Sequence, residues 1–180
     1  MIQEKKQEGT SQLVVFSLAN EEYGVAIGQV QEIIRPQGIT RIPGMPTFIE
    51  GVINLRGKII PIIDLRDRFG LAQKEADANT RVVVAEVSSQ TVGLVVDSVS
   101  EVLRLANDSI DPLPPTITSI DGEYLKGVGK LDRRLIILLD LEKVLTDLEK
   151  STLEKISKTI TEEIPGSGGN TKKESSAKAE

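Results

Sequence analysis

The stretch Phe48-Ile-Glu-Gly-Val-Ile-Asn-Leu-Arg-Gly-Lys-Ile-Ile-Pro-Ile-Ile-Asp-Leu65 decides the fold, because the chain contains a second version of it. That version aligns without gaps and reads Tyr124-Leu-Lys-Gly-Val-Gly-Lys-Leu-Asp-Arg-Arg-Leu-Ile-Ile-Leu-Leu-Asp-Leu141. Upstream, Tyr23–Arg35 aligns with Val92–Arg104, and the second copy carries extra residues in the Pro-rich stretch Ile110–Gly122. An internal repeat of this kind predicts two related structural units.

Each copy consists of short runs of branched apolar residues separated by turn residues such as Arg56-Gly57 and Asp132-Arg133. Aromatic residues make up only 3% of the chain, so the core must be mostly Val, Ile and Leu, which favour strands. The predicted strands are Leu13–Leu18, Gly24–Ala26, Ile33–Ile34, Gly51–Leu55, Lys58–Asp64, Arg81–Val87, Val92–Val96, Val102–Arg104, Gly127–Leu131 and Arg134–Asp140. Short helical turns are expected at Gly28–Glu32, Asp97–Glu101 and Leu65–Phe69.

Many short strands at this spacing predict an all-β protein built as barrels or a sandwich. A unit of about 60–70 residues has a core too small to be stable alone, so the two units should bury a shared seam. We therefore expect three apolar cores, one inside each unit and one between them. The order of the repeat blocks, about 13–70 and 81–141, leaves open whether the units exchange strands.

After Leu141 the pattern changes to apolar residues at every third or fourth position, which predicts a C-terminal helix over 141–164. Pro165-Gly166 should end it. Its apolar stripe could pack on a barrel or bind a partner helix. The polar termini, 1–12 and 165–180, are expected to be a flexible N-terminus and a disordered tail.

Composition narrows the possible functions. The chain has no Cys and no His, which removes thiol nucleophiles, imidazole bases and their metal sites, so we expect neither a metal nor a cofactor. The net charge of −5 is spread without a basic stripe, so nucleic-acid binding is not expected. The chain start lacks an apolar signal core, and the apolar runs Ile59–Ile63 and Leu135–Leu139 are too short to span a membrane. We expect a cytoplasmic protein.

Several motifs, in order and over roughly Leu13–Leu148, resemble the CheW family of chemotaxis coupling proteins. They are Glu22-Tyr23-Gly24-Val25, Val30-Gln31-Glu32-Ile33, Thr40-Arg41-Ile42-Pro43, Phe48–Gly57, Val92–Asp97 and Tyr124–Gly127. The resemblance implies two five-stranded SH3-like barrels packed around a common hydrophobic seam, without catalytic activity. It also implies three partners: the cytoplasmic tip of chemoreceptors, the regulatory domain of the histidine kinase CheA, and other CheW-like domains in rings.

By this resemblance, receptor contact falls on the seam side of the first barrel, at Ile27, Val30, Glu32 and Arg56. The physical case is that a helical receptor tip lays an apolar stripe into a groove. Ile27 and Val30 would supply groove walls, while the two charged residues would fix the register. The alternative is that Ile27 and Val30 are core residues and that Glu32 and Arg56 form an ordinary surface pair.

Kinase or ring contact is implied at Ile110, Asp111, Leu113 and Thr116. Some relatives carry a basic residue where Asp111 stands and an aromatic residue where Thr116 stands, so this chain departs from them at both positions. The alternative is that the Pro-rich segment is only a stiff loop.

The glycines Gly51, Gly57 and Gly127 indicate a structural role, because glycine in or beside a strand marks a bulge, a tight turn or a close backbone approach. The repeated carboxylates Asp64 and Asp140 each follow a strand and begin a Leu-containing turn, which favours helix capping. An acid–base pair in an enzyme is the competing interpretation.

The sequence therefore predicts a cytoplasmic adaptor, recruited to chemoreceptor arrays, that couples receptors to CheA without chemistry. A CheW-like scaffold in another receptor–kinase pathway, such as surface motility, is the alternative. A carboxylate-dependent enzyme on a β-barrel is a third possibility.

Overall fold

The computed structural model describes residues 9–113 and 124–163. Within those residues it contains eleven strands, three α-helices and two 3₁₀ turns, at Ile27–Gln29 and Asn107–Ser109. The strands are β1 (Thr10–Leu18), β2 (Glu21–Ala26), β3 (Val30–Ile34), β4 (Gly51–Leu55), β5 (Lys58–Asp64), β6 (Arg81–Val87), β7 (Gln90–Val96), β8 (Ser98–Ala106), β9 (Ile110–Asp111), β10 (Leu125–Leu131) and β11 (Arg134–Leu139). The helices are α1 (Leu65–Arg68), α2 (Leu141–Val144) and α3 (Asp147–Glu163).

The strands form two SH3-like barrels with equivalent strand orders. Barrel 1 has the order β3-β6-β7-β5-β4, and barrel 2 has the order β8-β1-β2-β11-β10-β9. The question left open by the sequence is thereby answered: hairpin β1–β2 of the first repeat lies in barrel 2, and hairpin β6–β7 of the second repeat lies in barrel 1. The predicted all-β, two-barrel fold is confirmed, and barrel 2 carries the two-residue strand β9 in addition to the five expected.

The two parallel strand pairs occupy equivalent positions of the repeat. Gly24 on β2 faces Leu138 on β11, and Gly93 on β7 faces Ile62 on β5. A Cβ atom on Gly93 would lie 2.5 Å from the Ile62 side chain and 2.8 Å from that of Val82, so these core side chains would have to shift to admit any other residue where the exchanged hairpin meets its host strand.

Three separate apolar clusters fill the molecule, as predicted. Strand β5 shows how alternation serves two of them: Ile60 and Ile62 point into barrel 1, while Ile63 points into the seam between the barrels. The equivalent Ile136 and Leu138 of β11 fill barrel 2. Burying each such side chain contributes about 1.5–3 kcal/mol.

Four aromatic rings form a continuous row through the seam. Ring centroids are separated by 5.9 Å between Phe16 and Tyr23, 5.7 Å between Tyr23 and Phe69, and 5.3 Å between Phe69 and Tyr124. The chain has three Phe and two Tyr, so the row uses most of its aromatic residues. Stacked pairs of this kind add about 0.5–1.5 kcal/mol beyond their buried area, which strengthens the contact between the barrels.

Two of the three predicted helical turns differ from the structure: the one at 28–32 is wrong in part, and the one at 97–101 is wrong. At 28–32, a 3₁₀ turn ends at Gln29 and strand β3 follows, while 97–101 is mostly strand β8. Glu101 lies opposite Val15 of β1, so pairing with a strand distant in sequence overrides the local helical spacing. The third prediction is correct, because α1 spans Leu65–Arg68 and Gly70 follows with φ of 71°.

The helix predicted over 141–164 is divided into α2 and α3. Leu145 is extended, with φ of −109° and ψ of 142°, and its side chain is buried at 3% exposure. A new helix then begins with a capping box, in which Thr146 Oγ1 accepts the N–H of Glu149 at 3.1 Å and Glu149 Oε1 accepts the N–H of Thr146 at 2.9 Å. No helix of the described residues is both long and apolar enough to cross a membrane.

The segment 1–12, expected to be flexible, overlaps strand β1. Thr10–Gln12 pair with Arg104–Ala106 of β8, and this backbone pairing orders them. Residues 1–8 and the tail 165–180 lie outside the described residues.

Candidate partner-binding site

An exposed ion pair marks the outer edge of barrel 1. The β4–β5 turn carries Arg56, whose two terminal nitrogens donate to the two oxygens of Glu32 on β3 at 2.9 and 3.0 Å. The Arg56 side chain is 72% exposed and that of Glu32 is 27% exposed. The hydrogen bonds to Glu32 raise the pKa of Arg56 above its ordinary value, so the guanidinium stays charged.

The position of this pair follows from the strand order. Strands β3 and β4 are the two outer strands of barrel 1, so an ion pair between β3 and the β4–β5 turn connects the ends of the sheet. Barrel 2 has an equivalent arrangement, in which Arg134 of the β10–β11 hairpin binds Glu101 of β8 at 2.7 Å and also binds Glu22. Glu32 and Glu101 are equivalent in the repeat.

The predicted apolar site residues Ile27 and Val30 lie on the segment that leads into β3. Ile27 is 37% exposed in the 3₁₀ turn, whereas Val30 is partly buried and packs against the seam cluster. The repeat provides a comparison, because Val96, the equivalent of Ile27, is 1% exposed. An apolar side chain that is exposed in only one copy of the repeat is a candidate for partner contact.

One further exposed apolar residue of β3 was not predicted from the sequence. Ile33 on β3 is 38% exposed and follows Glu32 directly. In a strand, neighbouring side chains point to opposite faces, and Ile34 packs against the core of barrel 1. Assigning Ile34 to the core would have placed Ile33 outside. The structure thus brings Glu32 and Arg56 into contact and places the exposed Ile33 on the opposite face of β3.

The second predicted site surrounds strand β9. Ile110 and Asp111 form this strand and pair with Gly129 and Val128 of β10, while the Asp111 carboxylate forms an ion pair with Lys130. Leu113 is partly buried. Thr116 lies outside the described residues.

The glycines of the repeat stand where another chain segment passes closely. A Cβ atom on Gly51 would lie 2.6 Å from the carbonyl oxygen of Thr40, and one on Gly127 would lie 2.8 Å from that of Asp111. Gly57 instead has φ of 86°, a conformation that side chains disfavour. The three glycines have no polar side chain to offer a partner, and their geometry accounts for them as backbone requirements.

The repeated carboxylates act as helix caps, as predicted. Asp64 Oδ1 accepts the N–H of Arg66 at 2.9 Å at the start of α1, and Asp140 Oδ1 accepts the N–H of Glu142 at 3.1 Å at the start of α2. Each aspartate caps a different helix, which accounts for both carboxylates as structural groups.

A cavity beside α1 is lined by three carboxylates, those of Glu50, Asp64 and Asp67, and by the side chains of Arg41 and Lys74. Burial raises the pKa of Glu50, and the nearby Asp64 and Asp67 raise it further. Burial also raises the pKa of Asp64, against the backbone N–H groups it accepts. Within the described part of the chain, no group of three or more acidic side chains is arranged to hold a metal ion.

Comparison with known proteins identifies the family. The model of the CheW-like domain family matches residues 12–149. The "Chemotaxis protein CheW" of Klebsiella aerogenes is 44% identical over 148 residues, covering 82% of this chain and 89% of that protein. The protein of the same name from Helicobacter pylori is 34% identical over 142 residues, covering 79% of this chain and 86% of that protein.

A solved structure agrees with the observed fold. The scaffolding protein TtCheW of Thermoanaerobacter tengcongensis matches with a TM-score of 0.70 and 44% identity, covering 76% of this chain and 92% of that one. Both comparisons place the similarity over the two barrels and not over one of them.

Proposed function

The chain belongs to the CheW family, and from that premise we propose that it is a non-catalytic adaptor that couples chemoreceptors to the histidine kinase CheA. The observation that carries this proposal is the family match over residues 12–149, which includes both barrels. The mechanism is geometric: two partners bind separate faces of one body, and a change in the receptor biases the kinase through contacts. The protein acts in the cytoplasm and is recruited to membrane-associated receptor arrays.

The receptor tip is assigned to the face of barrel 1 formed by Ile27, Val30, Glu32 and Arg56. A helical tip needs an apolar strip and charges that fix its register. Ile27 is exposed here although its repeat equivalent is buried, and Arg56 offers an exposed guanidinium that is paired with Glu32 of β3. An interface of this kind buries about 800 Å² per partner and is individually modest, so repeated contacts within an array supply cooperativity.

Charge reversal at Arg56 tests this assignment. Arg56→Glu should lower the affinity for a receptor-tip fragment at least tenfold, measured by calorimetry, while binding of the CheA regulatory domain remains unchanged. The double variant Arg56→Glu/Glu32→Arg restores the ion pair with its charges exchanged. If Arg56 touches the receptor, the double variant still binds weakly. Wild-type receptor affinity in Arg56→Glu would contradict the assignment.

The kinase and the neighbouring CheW-like domains of a ring are assigned to the segment that contains Ile110, Asp111, Leu113 and Thr116. Leu113→Asp should weaken binding of the CheA regulatory domain and leave receptor-tip binding intact. Leu148→Asp is a matched control, because Leu148 is an apolar side chain on α3 that is 77% exposed. Equal CheA affinity of Leu113→Asp and wild type would refute this assignment.

The carboxylates around the cavity make an enzyme the competing proposal. Asp64 is the acid most central to them, and its carboxylate already caps α1, so its role there is structural. An enzyme would lose turnover on Asp64→Asn while keeping its fold. The adaptor proposal instead expects Asp64→Asn to retain receptor and CheA binding. Co-purification with a particular kinase would distinguish the chemotaxis pathway from another receptor–kinase pathway.

A further inference from the structure

The turn that carries Arg56 has a backbone that suits arginine poorly. Arg56 has φ of 52° and Gly57 has φ of 86°, so both central residues of the two-residue hairpin are left-handed. Such turns prefer Asn, Asp or Gly at the first central position, because a Cβ atom crowds the following carbonyl oxygen there, and Asn and Asp offset this through local hydrogen bonds. Glycine satisfies the second position, but arginine at the first costs stability. Ala19 and Ser88 adopt similar φ values of 52° and 47° in two other hairpin turns, so a function for Arg56 rests on its side-chain contacts and exposure and not on this conformation alone.

A neighbouring side chain offsets this cost. Asn54 Oδ1 accepts the backbone N–H of Gly57 at 2.8 Å, although Asn54 itself is exposed and lies outside the cores. This bond closes the turn and fixes the backbone from which Arg56 extends. Among local side-chain bonds to the backbone, those of Asn are especially effective at stabilising turns.

The second copy of the repeat uses the equivalent position differently. Lys130 stands where the first copy has Asn54, and it forms an ion pair with Asp111. Its turn presents Asp132, with φ of 51°, where the first copy presents Arg56. The Asn54 bond therefore belongs to the turn with the exposed guanidinium and is not a general requirement of the repeated fold.

The Arg56 guanidinium has donors to spare. Arginine carries five N–H donors, and two of its nitrogens bind Glu32 while the side chain remains 72% exposed. A guanidinium held in one plane by a carboxylate presents its remaining N–H groups in a fixed direction, which suits a second carboxylate. The matching group on a partner is an acidic side chain.

We propose that Asn54 is a positioning residue for partner binding: it holds the β4–β5 turn so that Arg56, aligned on Glu32, presents its free N–H groups to an acidic side chain of the receptor tip. This inference rests on the receptor assignment proposed above. It adds that Arg56 occupies its turn position at the expense of stability.

The test is a double-mutant cycle on the full chain, with a soluble helical-hairpin fragment of a chemoreceptor tip as the probe. Asn54→Ala should weaken binding about 3- to 10-fold, which corresponds to the loss of one hydrogen bond. In an Arg56→Ala background the same substitution should change affinity by less than about 1.5-fold, because Asn54 acts through Arg56. Asn54→Asp, which retains an oxygen acceptor for Gly57, should stay within about twofold of wild type.

A stability readout separates positioning from general structural support. Arg56→Asn should raise the melting temperature while lowering receptor affinity, since asparagine suits the left-handed position better. NMR of the Gly57 amide should show faster exchange in Asn54→Ala and wild-type exchange in Asn54→Asp.

The outcomes distinguish the two proposals. If Arg56→Ala weakens binding but Asn54→Ala does not, the positioning role is overturned and the receptor assignment stands. If Arg56→Ala binds as wild type does, both are overturned. Additive losses in the cycle would show that Asn54 acts independently of Arg56 and would also overturn the inference.

Discussion

An Arg66→Ala substitution removes the cation from an enclosed ion pair at the point where the chain passes from barrel 1 to barrel 2. Arg66 Nε donates to Asp97 Oδ1 at 2.7 Å, and a terminal nitrogen donates to Oδ2 at 2.5 Å. The two side chains are only 13% and 16% exposed. Asp97 also accepts the N–H of Ala19, in the β1–β2 turn, at 2.9 Å. After the substitution, Asp97 keeps a charge in a poorly hydrated site without its counter-charge.

Removing one partner of a fully buried ion pair costs about 3–5 kcal/mol. The remaining exposure of this pair lets water reach it, so we expect a loss of about 2 kcal/mol in the free energy of unfolding. For a protein of this size, that loss lowers the melting temperature by about 4–8 °C. Urea titration should show a lower midpoint with an unchanged slope. The control is Lys158→Ala, which removes a pair whose side chains are 72% and 58% exposed and should cost less than about 0.5 kcal/mol.

The effect should depend on pH. The hydrogen bonds from Arg66 lower the pKa of Asp97 below its ordinary value. A carboxylate whose folded pKa is lowered contributes stability that is complete above the unfolded pKa of about 3.9 and is lost as pH falls through the folded pKa. The difference between wild type and Arg66→Ala should therefore shrink below about pH 4. A difference under about 0.5 kcal/mol at pH 7, or one equally large at pH 7 and pH 3, would refute this reasoning.

Three further predictions test other parts of the fold, the first of them with a control substitution. Gly51→Ala should lower the free energy of unfolding by about 2 kcal/mol, because its Cβ would meet a backbone carbonyl oxygen at 2.6 Å. Gly38→Ala, with open space around it, should change urea stability by less than about 0.5 kcal/mol. Burial raises the folded-state pKa of Glu50, so its ionised form destabilises the fold at pH 7 and Glu50→Gln should be more stable there than wild type. Thermal melts should show this advantage vanishing below about pH 4, where Glu50 is protonated in both the folded and the unfolded state. Arg68→Ala removes two bonds of 2.7 and 2.6 Å to Glu149, so amide exchange in α3 should speed up about tenfold while that of barrel 1 stays unchanged.

Local pattern was sufficient for most of the strands. The bounds of Gly51–Leu55, Lys58–Asp64 and Arg81–Val87 match the structure, because each is a run of branched apolar residues separated from its neighbours by turn residues. A helical turn was expected at Asp97–Glu101 because this segment lies between two predicted strands. Its backbone pairs with β1, whose position relative to β8 depends on a contact between distant parts of the chain.

The residues of the candidate site could be predicted from the sequence, but the contacts between them could not. The family resemblance pointed to Glu32 and Arg56 as receptor contacts, and a surface pair between them was only the alternative, because their contact requires the outer strands of barrel 1 to approach each other. That approach depends on hairpin β6–β7 filling the space between β3 and β5, which the sequence left open. Asn54 was overlooked because its role lies in one bond to a backbone amide three residues away, and no hydrophobic period reports such a bond.

The exchanged hairpins make the halves of this chain mutually dependent. A cut in the loop between α1 and β6 would separate the two repeats, but each fragment would own two strands that belong inside the other's barrel. Neither fragment could complete a barrel alone, and together each would supply the hairpin that the other lacks. A homodimer of single repeats could have the same arrangement of strands. Joining its two subunits with a linker would give this fold with the same strand pairing. Nicking the polypeptide between its repeats should therefore leave one assembled particle rather than two independent ones.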